Sequence, residues 1–365
     1  MSNKSGLVIL YFFFILVLLP QQSNAHEINP KLIYQLTSEK INHNHPIAST
    51  IEQVADPRFE IRTYYSFPEW YIVYSAQEYG AFVTSGARPS QFPYFTAIAQ
   101  LWHSWDESKQ LAQAEPDNTT KTILWTIAVS FTIEYSLTGV YENTIGRISE
   151  WLHFGHKTVE DMYIDAQAVQ YGNFLNQEPW YEFPYLSTLN GLWKTWGWSS
   201  FSPRGIERRI AYTVGYASKS LYASIIRALS QANFEGGAGL ITKVTVIASE
   251  NQVTILQLPF KSLPEINHYF VEFPRYRAFR DPAVAVAQSG AEFKDIEGHD
   301  YISLSVVMDT LNACDAILQA DGYSMSIPSQ PKLSRYVLST PVSELTNTIN
   351  SILDCNYQIE HIYDY

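Results

Sequence analysis

Three rhythms of apolar and polar positions follow one another along this chain of 365 residues. The first has no polar beat: "GLVILYFFFILVLLP" (6–20) is an unbroken apolar run. From 52 to 235 the apolar positions recur mainly at helical spacing. "TYYSFPEWYIVYSAQEYGAFV" (63–83) sets Trp70 and Tyr74 one turn apart on an aromatic packing face, with Ser66 or Pro68 opening its helix. "TVEDMYIDAQAVQYGNFL" (158–175) begins with Thr158 three residues before Asp161, an approximate capping box. "ERRIAYTVGYASKSLYASIIRALSQA" (207–232) repeats Ile210, Val214, Ala217, Leu221, Ile225 and Leu229, which makes it the clearest amphipathic helix of the chain.

After "NFEGGAGL" (233–240) the period shifts to that of strands. "KVTVIAS" and "QVTILQLPF" flank Glu250-Asn251 and predict a hairpin of β-branched strands; "AEFKDIEG" and "HDYISLSVVM" predict another. Strands and helices then alternate to the C-terminus. Their order contains the split βαββαβ unit in two overlapping frames, about 267–327 and about 301–363. The expected fold is therefore α+β. A mainly helical, aromatic-rich domain over 52–235 precedes a ferredoxin-like domain over 240–365, an antiparallel sheet with helices on one face.

The apolar run at the start reads as the core of an export signal over residues 1–25. Lys4 supplies the basic region and "SNA" (23–25) the small-residue cleavage site. An uncleaved anchor is the alternative, although the run is short for a span. The polar, aperiodic residues 26–51 read as a flexible lead-in. A second apolar stretch, "ILWTIAVSFTIEYSLTGVY" (123–141), has Glu134 in its middle. Its Ile, Leu, Phe and Val side chains contribute roughly −2.4 to −4.8 kcal/mol to membrane insertion, and a central acid costs about +2.5 to +3.5. Thr126, Ser130, Thr132, Ser136 and Thr138 tip the balance further toward a buried or membrane-surface helix; a span at 123–141 is the alternative. In a span Glu134 would be functional, because an unpaired acid in a bilayer is too costly to keep idle. Otherwise it is expected as a buried acid bonded to a Tyr or Arg, with Tyr141 a near neighbour.

Composition sharpens this picture. The chain is 46% hydrophobic but only 16% charged, against about 25% charged in ordinary soluble domains. Its 25 Tyr, 19 Phe and 9 Trp suit interfaces as well as cores. A formal net charge of −12 and the lack of a basic stripe exclude nucleic acid as a partner. The two cysteines, Cys314 near the start of one predicted helix and Cys355 just past the end of another, come together if the later βαββαβ frame holds. A disulfide there would stabilise the fold by about 4 kcal/mol; two buried thiols in a reducing compartment are the alternative. The two questions are linked: a span at 123–141 after an export signal would return Cys314 and Cys355 to the cytoplasm.

No nucleophile elbow, Walker loop or HExxH occurs, and "GGAG" (236–239) precedes a strand instead of following one, so no cofactor is expected. Glu134, Glu142 and Arg147 are the weak catalytic candidates, as an acid–base or ion-pair constellation with Tyr135 and Tyr141. Glu150, His153 and His156 have the half-spacing of a metal site on a helix, which Glu265 and His268 repeat, and "HNH" (43–45) is a looser possibility. The competing reading is a polar helix end capped by Gly155. Trp70, Tyr74, Trp180, Trp193, Trp196 and Trp198 are candidates for an aromatic surface, either a glycan-stacking platform or a membrane-interface belt, against the default of core packing.

Together "TYYSFPEWYIVYSAQEYGAF", "SFTIEYSLTGVYENTIGRISEW" and "PWYEFPY" resemble a group of uncharacterised bacterial envelope or membrane-associated proteins, over about residues 63–310. The resemblance implies a bacterial, exported or membrane-associated protein and transfers no activity, catalytic residue or ligand. The resulting expectation is a periplasmic or envelope-associated, non-enzymatic module that docks on a membrane surface, an envelope protein partner or a glycan. Its rival is an envelope enzyme using the acids and histidines of 134–161. The rival requires those groups to converge on a reachable pocket, whereas membrane docking requires a large exposed apolar patch.

Overall fold

Aromatic residues dominate α1 (Ile61–Thr84), which begins well before Ser66 and keeps Pro68 inside it. The proline removes one N–H from the helical ladder, and dense packing on several sides holds the helix regardless. The computed structural model describes residues 61–364 apart from 117, 177, 234–240, 310–313, 315, 316, 318 and 319. The expected export signal (1–25), the lead-in (26–51) and "HNH" (43–45) lie outside the described residues.

Around α1 are α2 (Tyr94–Ala112), α3 (Asn118–Tyr141), a π-helical turn (Glu142–Gly146), α4 (Arg147–Leu152), α5 (Val159–Phe174), α6 (Tyr185–Lys194) and α7 (Pro203–Asn233). Thr158 caps α5 reciprocally with Asp161, as their spacing predicts. Paired glycines bring α1 and α5 together. A Cβ on Gly80 would lie 3.0 Å from the Val169 backbone, and one on Gly172 would lie 3.0 Å from that of Gln77, so larger residues would push the helices apart.

The C-terminal part holds β1 (Ile241–Ile247), α8 (Glu250–Ile255), β2 (Phe260–Ser262), β3 (His268–Pro274), α9 (Arg280–Gln288) and β4 (Glu292–Ile296). Then come β5 (Tyr301–Asp309), β6 (Gly322–Ile327), β7 (Gln330–Pro341), α10 (Leu345–Asp354) and β8 (Gln358–Tyr363). They form two antiparallel four-stranded sheets, in the orders β2-β3-β1-β4 and β6-β7-β5-β8. Each sheet places its four strands in the same order, second, third, first, fourth.

Both predicted hairpins are overturned. Ser249 and Gln252 form a capping box that starts α8 where a strand was expected, and Val253 anchors that helix in the core. The strands β4 and β5 belong to different sheets, and the isolated bridge between Ile296 and His299 lies at the turn that connects them. The frame beginning near 267 fails with them, since β3 pairs with β1 and β2.

One core runs between the sheets: Val246 and Phe293 of the first meet Leu304 and Ile362 of the second, through Val286 of α9 and Ile349 of α10. On the opposite face of the second sheet, Phe67 and Tyr74 of α1 pack against Tyr323, Val337 and Tyr363. Thus β5 is covered on both sides, which explains its nearly continuous burial. Arg335 ties that seam, with Nη1 donating to Glu78 of α1 at 3.0 Å and Nη2 to Glu360 of β8 at 2.9 Å, its guanidinium 4.3 Å from the Tyr74 ring centroid. Helices and sheets accordingly belong to one compact unit, Asp56–Tyr365. Cys314, after β5, and Cys355, at the end of α10, are joined with Cα atoms 6.2 Å apart.

Candidate functional site

Three arginines near the start of α7 point into the protein. Arg204 donates from Nη2 to Asp161 of α5 at 2.8 Å and from Nη1 to Ser149 of α4 at 2.9 Å, with Glu150 at 3.5 Å. Arg208 grips Glu142 with both terminal nitrogens, at 2.8 and 3.2 Å, and donates from Nε to Glu207 at 2.7 Å. Arg209 donates to Glu160 at 2.8 Å and lies under the exposed Trp196 ring, 4.6 Å from its centroid. Tyr141 donates its hydroxyl to Glu207. These forked pairs satisfy each guanidinium in a place where an unpaired charge would be prohibitive.

Local geometry makes the cluster possible. The π turn after α3 carries Glu142, and Gly146 ends it where any Cβ would collide with the Glu142 carboxylate. Burial pushes the Glu142 carboxyl upward, with Arg208 opposing it. Burial also acts upward on Asp161, but there the Arg204 contacts outweigh it and hold the group below the ordinary carboxylate range. Burial disfavours the charge on Arg208, yet Glu142 and Glu207 overcome that and raise its pKa. All of these pairs lie inside the protein, and each carboxylate presents at least one oxygen to an arginine.

Outside this cluster the helices present apolar side chains. Ile206, Ile210, Val214, Ala217 and Leu221, the amphipathic stripe of α7, face outward, while Arg204, Arg208 and Arg209 occupy the inner face. The side chains of Ile225 and Leu229 lie outside the described ones. Beside the stripe, Trp151 is 75% exposed, Phe154 88%, Phe201 71% and Trp196 65%. A groove of about 590 Å³ between the π turn and α7 is lined by Ile145, Phe201, Pro203, Ile206 and Ile210, with Tyr141 and Glu207 also at its wall. Along α3, Leu124, Ala128 and Phe131 pack inward while Ile123, Trp125, Leu137 and Val140 are exposed. The continuous helical stretch Thr120–Leu152 is long and apolar enough to cross a membrane, and only 22% of its most apolar window is buried.

The predicted site residues separate into different environments. Glu134 is neither buried nor bonded to Tyr or Arg: half-exposed, it pairs with Lys219 of α7 at 2.6 Å. Tyr141 turns to Glu207 instead of Glu134. Glu142 lies in the arginine cluster, whereas Arg147 points outward, so the three catalytic candidates do not converge. Glu150 accepts from the Ser90 hydroxyl at 2.6 Å, while His153 caps α4 and His156 is exposed. Among the described residues no group of three or more His, Cys, Asp and Glu side chains is placed to hold a metal. Glu265 and His268 form only a local contact at 3.3 Å.

Trp70 and Tyr74, candidates for an aromatic surface, are instead core residues under the second sheet. Trp180 is half-buried and stacks on Tyr222, Trp193 and Trp196 are exposed, and the side chain of Trp198 lies outside the described ones. Sequence reasoning passed over Arg204, Arg208 and Arg209. Their signal was present: three arginines on the face of α7 opposite its apolar stripe, in a chain that carries five acids between 142 and 165. The chain matches no protein-family model, no curated protein and no solved structure.

Proposed function

We propose that this chain is an exported, envelope-associated, non-enzymatic protein that docks on a membrane surface through the apolar face of α3, α4 and α7. The observation carrying this reading is the inversion of α7, whose Arg204, Arg208 and Arg209 are buried and whose apolar stripe is exposed. Apolar exposure on this scale, rimmed by tryptophan, suits the boundary between headgroups and acyl chains. A Cys314–Cys355 link agrees with an oxidising compartment, and so does an export signal at residues 1–25. The resemblance of 63–310 to envelope proteins points the same way. The pairing of Glu134, Glu142 and Glu150 with cations weighs against the enzyme reading, because each of these candidate acids is already engaged by a lysine or an arginine.

Each sheet, with its shared strand order, is read as a ferredoxin-like βαββαβ unit, the second one spanning the 301–363 frame. In this proposal the sheets carry the assembly role and the helices the membrane contact. Flotation of the full chain with phospholipid vesicles tests it. Comigration that is lost in a Trp151→Ser, Phe154→Ser double variant is expected; a chain that stays at the bottom of the gradient overturns it. Extraction of native membranes at high pH separates the alternative favoured by the apolar Thr120–Leu152 stretch: a docked protein is released, and one spanning at 123–141 is retained.

A further inference from the structure

We infer that the docking face selects anionic phospholipid, with Arg147 and Lys194 as its headgroup contacts; the inference rests on the membrane-docking reading. The chain carries a net charge of −12, yet of the acids on α3, α4 and α7, Glu150 and Glu207 are turned inward and the half-exposed Glu134 is paired with Lys219. Between 135 and 176 every acidic residue, Glu142, Glu150, Glu160, Asp161 and Asp165, is buried. Between 183 and 226 the lone acid is Glu207, whose side chain is 12% exposed and engaged by Arg208. Over the same two segments Arg147 and Lys194 are exposed.

Each cation lies two residues along the chain from a side chain of the exposed apolar face. Arg147 follows Ile145, which lines the groove with Phe201. Phe201 packs near Trp196, with ring centroids 5.8 Å apart, and Lys194 lies two residues before that tryptophan. The apolar face thus has a basic rim and no exposed acid in these two segments, on a protein that is acidic as a whole. Acids elsewhere are screened over a Debye length of about 8 Å at physiological salt, so charges at the contact govern the choice of surface. Each basic side chain near an anionic bilayer strengthens binding roughly fivefold. Tryptophans at headgroup level, here Trp151, Trp193 and Trp196, would hold the cations at the right depth.

The test is flotation of the full chain on phosphatidylcholine vesicles and on vesicles of phosphatidylcholine mixed with phosphatidylglycerol, each at low and high salt. The expected result is weak binding to the neutral vesicles and stronger, salt-sensitive binding to the anionic ones. The double variant Arg147→Gln, Lys194→Gln should lower anionic binding about thirtyfold, to the neutral level. Both side chains are exposed, so its thermal unfolding should match the parent and exclude misfolding as the cause. Equal, salt-insensitive binding to both vesicles would overturn the selectivity and leave docking intact. Binding to neither would overturn docking itself, and selectivity with it.

Discussion

In the sheets, Val246, Phe293, Leu304 and Ile362 are inside, while Lys261, Glu292 and Lys294 are exposed. Along α7 the distribution is reversed, with Arg204 and Arg208 buried and Ile206, Ile210 and Val214 outside. Ion pairs gain little over well-packed apolar side chains as core material, because desolvating both charges offsets most of their attraction. Stability alone therefore does not account for the inversion of α7. It becomes reasonable if the outer surface meets something other than water, and the same arrangement removes acids from the exterior where an anionic surface would be approached. The contrast teaches that two parts of one compact unit can be built for two different surroundings.

The largest effect should come from the charged interior. Arg204→Met leaves Asp161 and Glu150 buried without their cation, and urea unfolding should show a loss of about 3–5 kcal/mol. A loss near zero would mean the cluster is hydrated, and the two regions would differ less than described. In the sheet half, Ile349→Ala removes a fully buried side chain from the shared core and should cost about 2–5 kcal/mol by the same measurement.

A smaller effect lies at the seam between the regions. His361 sits beside Trp70, ring centroids 4.1 Å apart, with Tyr74 and Tyr363 around it. Burial, with Arg277 and Arg280 adding to it, holds its pKa well below the ordinary 6.5. Below that pH the unfolded chain takes up a proton that the folded chain refuses. The contribution of His361 is thus complete above 6.5 and is lost as pH falls, by about 1.4 kcal/mol per pH unit. A His361→Gln variant should show a flatter stability profile on the acid side; an unchanged slope would assign the acid sensitivity elsewhere.

The smallest effect sharpens the comparison most. Ile210→Ser changes an exposed isoleucine, so its stability should move by no more than about 0.5 kcal/mol while vesicle binding falls. An equal loss of stability for Ile210→Ser and Ile349→Ala would show that α7 is packed like a core helix, and the docking face would be gone.

Much of the secondary structure is legible from local signals: the Thr158–Asp161 cap, the α7 repeat, and the alternation of strands with helices after 240. Strand partners are less so. The run 252–260 has the β-branched content of a strand, but Ser249 and Gln252 start a helix, and only Phe260–Ser262 pairs with β3. Likewise β4 and β5, separated by a short turn, read as a hairpin until the distant partners β1, β7 and β8 are seen. The candidate site was half visible. Glu142 and Glu150 stood out as acids in an apolar setting, whereas the arginines that neutralise them come from α7, more than fifty residues away.

By itself the sequence determined that a mainly helical part is followed by alternating strands and helices, that α7 has two unlike faces, and that Cys314 and Cys355 could meet. Only the tertiary structure decided which face of α7 turns inward. Periodicity is local and has no sign: it shows that a stripe exists without saying whether protein or surroundings will cover it. The sign was set by acids on the π turn, α4 and α5, whose burial is tolerable only where folding brings arginines to them.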